Sequence, residues 1–448
     1  MPAFLTDLVR RVRARLRDSP LLARMARSVT WALIGSVLSR GTASLAMIIA
    51  ARTLGTSGFG ELAMVQSTNL LLSTLVGFGL GLSATKNVAQ HRGTDPGRAG
   101  RVVALSEAIA VCAGALMAAA LFGLSPLVAG GVLDSPEIER SLALGTGITL
   151  LGVINGTQLG ILAGFEAFRS IAATGAIAGF ASMPLVGAGA VVRGVDGAVV
   201  GLMASQFIGC CANHVAIRSA ARRVDVPVRH GGCFQEWRML LDFSLPAVLA
   251  TIGVVGAEWG GRAILARHGG YAEVGIFQSA YQYVLLVSFV PMNMGRASVP
   301  LLAERLSSGD SRGVAAVTRW AVRGNLIAAV PLVALGAVAS PWLMGLCGPG
   351  YAVWWPVLAL LLGKALLLAV AKPFESLFTA SGALWHVVGM VAVYCPAILV
   401  ICYVLRGHGA GALAVANVIG FFVYLVMLQV LARYRGHVRV PARETPLP

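Results

Sequence analysis

Apolar runs long enough to cross a bilayer recur along this chain, separated by short polar segments. They fall at about 28–51, 60–84, 101–123, 141–163, 171–192 and 197–217 in the first half. The second half adds 242–266, 273–295, 318–339, 352–371, 384–405 and 410–432. A helix needs about 20 residues to span the hydrocarbon core. The pattern therefore predicts an all-α polytopic membrane protein of twelve spans, with both chain ends on the same side.

The polar segments between the runs carry unequal charge. About 26 of the 35 basic residues lie in the N-terminal arm, around 86–101, at Arg169, in 218–238 and 296–319, at Lys372 and in 433–443. About five, Arg52, Arg140, Arg193, Arg267 and Arg406, fall in the loops of the opposite side. Basic residues accumulate on the cytoplasmic side of a membrane protein, so this bias predicts cytoplasmic termini. Within 1–27, Arg10, Arg11, Arg13, Arg15, Arg17, Arg24 and Arg27 interleave with Phe4, Leu5, Leu8, Val12, Leu16, Leu21 and Leu22. That segment reads as a basic amphipathic helix on the inner leaflet. The apolar run after it is of full spanning length, which argues against a cleavable signal.

Two polar loops are repeated. Arg52, Gly55 and Gly60 recur at identical offsets as Arg267, Gly270 and Gly275. Arg193, Gly194, Gly197 and Ala198 resemble Arg406, Gly407, Gly411 and Ala412, and each set follows a proline in the preceding run, Pro184 or Pro396. The matches predict two six-helix bundles, 28–220 and 242–432, inserted in the same orientation as a parallel repeat. A cytoplasmic linker, 221–241, joins them, and a tail, 433–448, follows.

Composition narrows the function classes. Hydrophobic residues make up 57% of the 448 and charged residues only 12%, far from a soluble globular chain. The 54 glycines suit closely packed membrane helices. A net charge of +16 could suggest nucleic acid, but its loop-by-loop distribution is that of membrane orientation, so no nucleic-acid partner is expected. Seven cysteines and seven histidines show no metal-ligand spacing, and no Gly-Lys-Ser/Thr loop is present to cradle ATP. No cofactor, metal or catalytic residue is expected.

The run from Arg52 through Gly55, Phe59, Gly60 and Gln66 is similar to the segment joining the first two spans of polysaccharide-exporting flippases. Gly79 through Ser83, Lys86 and Gln90 resembles the close of their second span. These proteins belong to the multidrug/oligosaccharidyl-lipid/polysaccharide exporter superfamily. The resemblance extends over the chain in span number and repeat layout. It implies a V-shaped pair of bundles that flips a lipid-linked oligosaccharide, usually on undecaprenyl diphosphate, across the bacterial inner membrane by alternating access. Its partners would be the bilayer, the polyprenyl-diphosphate-linked glycan and a polysaccharide polymerase. Proton and sodium coupling are both left open.

Such a substrate calls for cations near the crossing anion and polar groups for sugar hydroxyls. Arg40 lies about 18 Å along a helix begun at Ser28, near the midplane of a core of about 30 Å. Arginine at that depth is costly and faces water or a partner. The resemblance implies that the first span lines the central cavity, which makes Arg40 the first candidate for the diphosphate. Lys364 is equally central. Arg262 follows Glu258 by four positions and can pair with it along the helix, and Glu258 is the candidate for ion coupling. Gln66 with Asn69, Asn155 with Gln158, and Gln278 with Tyr281 and Gln282 share helix faces. They are expected to meet sugar, with interhelical hydrogen bonding as the competing role.

The alternatives are a cation-coupled drug or metabolite antiporter of the same superfamily, a membrane glycan polymerase or ligase, a major-facilitator carrier and a peptidoglycan-precursor flippase. The antiporter would call for an acidic cavity, the polymerase for a large outward loop. The facilitator's basic signature is missing from 86–98, and the precursor flippases usually carry two further spans.

Overall fold

The computed structural model describes residues 20–228, 231, 233–236 and 245–435. Most of the expected amphipathic arm, parts of the linker and the end of the tail lie outside these residues. Every regular element among the described residues is helical.

The first element, α1, runs from Pro20 to His91. It begins upstream of the expected Ser28, so Arg24 and Arg27 sit on the helix itself. At Gly55 the backbone turns to φ 70°, ψ −174°, a left-handed conformation open mainly to glycine. The chain reverses there: Gln66 Nε2 on the returning arm reaches Met47 Sδ on the outgoing one at 3.6 Å. One element thus makes two crossings. Helix α2 (Pro96–Pro126) follows, its first turn capped by Asp95, which accepts from the Arg98 amide at 2.9 Å. Helix α3 (Thr146–Gly164) packs against the second arm of α1. Helix α4 (Phe168–Arg223) reverses at Arg193 and Gly194, so that Gly197 lies against the Gly189 carbonyl.

The second half contains α5 (Leu245–Gly269), α6 (Tyr271–Val287), α7 (Phe289–Ser307) and α8 (Ser311–Val338). It closes with α9 (Trp355–Ala380), α10 (Leu384–Val404) and α11 (Gly409–Arg435). The run expected as 273–295 is bent by 45° between α6 and the residues from Pro291 onward, where proline breaks the helical hydrogen-bond ladder. Nine helices among the described residues are long and apolar enough to cross a membrane. Two of them fold back at glycine and the α6–α7 pair adds one bent crossing, which gives the twelve expected from the hydropathy pattern.

The glycine turns also carry the duplication. Gly55 (φ 70°) corresponds to Gly270 (φ 81°), and Gly194 (φ 57°) to Gly409 (φ 58°), at a common spacing (270 − 55 and 409 − 194, both 215). This corrects the register expected for the second loop pair. Gly194 matches Gly409 rather than Gly407, so Arg193 stands opposite His408 and the likeness to Arg406 is local.

The two halves meet where the first pair of turns lies. A Cβ built on Gly60 would stand 1.8 Å from the Tyr271 carbonyl oxygen, and one on Gly275 would stand 2.0 Å from that of Thr56. Thr56 and Tyr271 each directly follow a turn glycine, so the contact is reciprocal, as a two-fold relation requires. Tyr351 from the second half donates to the Gly55 carbonyl at 2.8 Å and stands edge-on to Phe59. Trp259 Nε1 on α5 donates to Thr68 Oγ1 on α1 at 2.9 Å.

Candidate functional site

A cavity of about 460 Å³ lies between the halves. Its wall comes from α1, α3 and α4 on one side and from α6 on the other. Arg40, Gln66, Asn155, Gln278 and Gln282 line it, as expected from the sequence. Arg40 is the one charged side chain among the described lining residues, none of which is a carboxylate.

The cavity also takes in Gln206 and Asn213 of α4, which the sequence reading missed. Their signal was present: two amides seven residues apart lie on one face of a helix. Asn213 Nδ2 donates to Asn155 Oδ1 at 2.7 Å. The Asn213 Oδ1, Gln206 Oε1 and Gln282 Oε1 atoms are buried without a protein partner among the described residues. Buried amide oxygens are normally satisfied, so these three stand out along the cavity wall. Amides both donate and accept, as sugar hydroxyls do.

The remaining candidates point elsewhere. Asn69 is buried inside the first bundle, donating to Val65 O at 2.8 Å and accepting from Thr149 Oγ1 at 2.6 Å. Gln158 is likewise buried and absent from the cavity wall. Positions three apart share a broad face but differ by about 60° around the axis. That angle separates Gln66 from Asn69 and Asn155 from Gln158 in an arm wedged between cavity and neighbouring helix.

Lys364, Arg262, Tyr281 and Glu258 gather inside the second bundle instead of in the cavity wall. Glu258 Oε1 accepts from Tyr281 OH at 2.6 Å and from Lys364 Nζ at 3.3 Å. Lys364 Nζ also donates to Asn417 Oδ1 at 2.7 Å. Arg262 Nη1 donates to the Glu258 carbonyl at 3.1 Å, and its guanidinium stands over the Tyr281 ring at 5.2 Å. Lys364 and Arg262 are almost wholly buried, at 4% and 6% exposure. The expected Glu258–Arg262 pair is the weaker one: its carboxylate contact is 3.9 Å, and Lys364 on α9 is the closer cation. The one-residue step from Tyr281 to Gln282, 100° around α6, divides that helix between the ionic cluster and the cavity.

Glycine-turned helical hairpins, two bundles in parallel repeat and a cavity between them are the architecture of a two-lobed membrane transporter. The comparisons with known proteins agree. The profile of the family described as "Polysaccharide biosynthesis protein" matches residues 25–305, and the chain belongs to that family. The EPS I polysaccharide export inner membrane protein EpsE of Ralstonia nicotianae is 23% identical over 393 residues, covering 85% of this chain and 87% of that protein. Among solved structures, an inward-facing multidrug resistance MATE family transporter of the MOP superfamily superposes with TM-score 0.74 at 14% identity, over 91% of this chain and 100% of that one. An outward-facing form gives TM-score 0.70 at 16% identity, over 94% and 97%. A MOP superfamily transporter from Pyrococcus furiosus, described as having a binding pocket of reverse polarity, gives 0.71 at 15% identity, again over 94% and 97%. These likenesses establish the fold as that of MOP superfamily transporters.

Proposed function

We propose that the chain is a flippase. It moves a polyprenyl-diphosphate-linked oligosaccharide across the bacterial inner membrane for polysaccharide export by alternating exposure of the inter-lobe cavity. The observation that carries this reading is the cavity wall itself, with one guanidinium, no carboxylate and several amides among its described residues. A guanidinium suits a phosphate oxygen pair, and amides suit hydroxyls. The same fold serves multidrug transporters, but a cavity built for organic cations calls for negative charge, and this wall offers the opposite sign. The name of the Ralstonia nicotianae relative, which speaks of polysaccharide export at the inner membrane, supports the same choice. Both termini are cytoplasmic on this reading, which the basic bias of the loops supports.

The deciding experiment is export of the lipid-linked glycan in cells carrying Arg40→Ala. Export is expected to be lost while the protein remains in the membrane at normal level, with Arg40→Lys retaining part of it. Undiminished export by the alanine variant would remove Arg40 from the site. A shift toward organic-cation efflux would favour the antiporter.

Glu258 is the coupling group in this proposal. Adding a proton to its carboxylate would weaken the bonds from both Tyr281 and Lys364 in one event, on the helix that also carries Gln278 and Gln282. Glu258→Gln keeps an oxygen for the tyrosine but cannot change charge. Glycan export measured against an imposed pH gradient is expected to lose its dependence on that gradient; a dependence equal to the wild type would exclude Glu258 from coupling.

A further inference from the structure

A second recess lies away from the inter-lobe cavity, at the carboxyl end of α4. It measures about 500 Å³ and is lined by His214, Val215, Arg218, Ser219, Arg222 and Arg223. The arm of α4 that ends here has two opposite faces. One carries Leu202, Gln206, Gly209 and Asn213 toward the inter-lobe cavity. The other exposes Val200, Phe207, Cys211 and Val215. At 100° per residue, Arg218 and Arg222 continue that second stripe. An exposed apolar stripe on a membrane helix lies against acyl chains, and this one runs directly into guanidinium groups.

Acid offsets only part of that charge. Glu107 on α2 stands with Oε1 3.3 Å from His214 Nδ1 and Oε2 3.9 Å from Arg218 Nη2. Among the described residues Glu107 contacts Arg218 but neither Arg222 nor Arg223, which leaves a cationic excess at the end of an apolar track. Basic side chains at a helix carboxyl end also complement the helix dipole, a role that needs no ligand. The continuity of the stripe with the recess is what the dipole does not account for.

We propose that this recess binds the headgroup phosphate of an anionic phospholipid, whose acyl chains lie along the exposed stripe of α4. The occupant is a resident lipid of the bilayer and not the transported glycan lipid, because the recess is on the face of α4 turned away from the cavity. The arginine forks supply paired donors to phosphate oxygens. The site is independent of the cavity and of the proposed transport function.

The test uses the full-length protein purified in neutral detergent and titrated with phosphatidylglycerol or phosphatidylcholine, with bound lipid counted by native mass spectrometry. Phosphatidylglycerol is expected to be retained preferentially. The triple variant Arg218→Gln, Arg222→Gln, Arg223→Gln should weaken that retention by about tenfold or more, leaving phosphatidylcholine unchanged. The matching triple lysine variant should keep most of it. Should the triple glutamine protein misfold, Arg222→Gln alone should still show a loss of about fivefold with an unchanged unfolding midpoint. Equal retention by wild type and glutamine variants overturns the proposal. So does complete displacement by inorganic phosphate at matched concentration, which would mark a free-anion site. Displacement by a polyprenyl phosphate at far lower concentration would mark a substrate dock and overturn it too.

Discussion

Replacing Gly60 with alanine should abolish export without preventing insertion. The new methyl group would stand 1.8 Å from the Tyr271 carbonyl oxygen, where an ordinary carbon–oxygen contact is about 3.3 Å. The obstacle is backbone, which no rotamer change removes, so the lobes must part at this end. Overpacking of this kind costs about 1–3 kcal/mol, which reduces the population of the joined form by roughly 5- to 150-fold. Gly275→Ala should behave alike, because it strikes the Thr56 carbonyl at 2.0 Å. Cysteine-accessibility labelling of Phe59 and Tyr351, each replaced by cysteine, should show higher reactivity in the alanine variants. Normal export with unchanged labelling would show that the contact is dispensable.

The second large effect concerns Lys364. Its ammonium holds Glu258 and Asn417 in a nearly dry setting. Removing one partner of a buried ion pair costs about 3–5 kcal/mol when the other charge is left without compensation, and here Arg262, 3.9 Å from the Glu258 carboxylate, compensates part of it. Lys364→Met should therefore lower the thermal unfolding midpoint in detergent substantially. Combining it with Glu258→Gln should cost less than the sum of the two single losses, since Lys364 and Glu258 share one interaction, even though Arg262 is then left without a carboxylate. A double loss equal to the sum of the two single losses would show that the two charges do not act as a pair.

Span number and the two-bundle repeat were legible in the chain because both rest on one-dimensional signals: lengths of apolar run and the spacing of turn glycines. The Arg52 and Arg267 loops revealed the correct 215-residue spacing directly. The loop at Arg406 misled, since an arginine and a glycine reappear there two residues out of register, and only backbone conformation identifies Gly409 as the turning residue. The site was legible in part. Arg40 stood out because guanidinium inside an apolar run is rare, and the structure puts it on the cavity wall. Shared spacing did not distinguish Gln66 from Asn69, or Gln282 from Tyr281. Which side of a helix meets cavity and which meets a neighbour depends on packing that no single helix encodes. Lys364 and Arg262 had the right depth for the cavity, but the Glu258 carboxylate and the Tyr281 ring draw them into the second bundle.

The reciprocal joint at Gly60 and Gly275 bears on bioenergetics as well as on shape. An exporter sits in a membrane that stores energy as ion gradients, and any continuous file of water through it would dissipate them. At this joint main chain meets main chain, and neither partner brings a flexible side chain to hold water between them. Because each lobe supplies the same glycine and the same carbonyl, one rigid-body movement seals or breaches both contacts together. A leak through half of the joint would thus require the lobes to lose their symmetry, and a change that widens it should register first as collapse of the proton-motive force and only afterwards as loss of exported glycan.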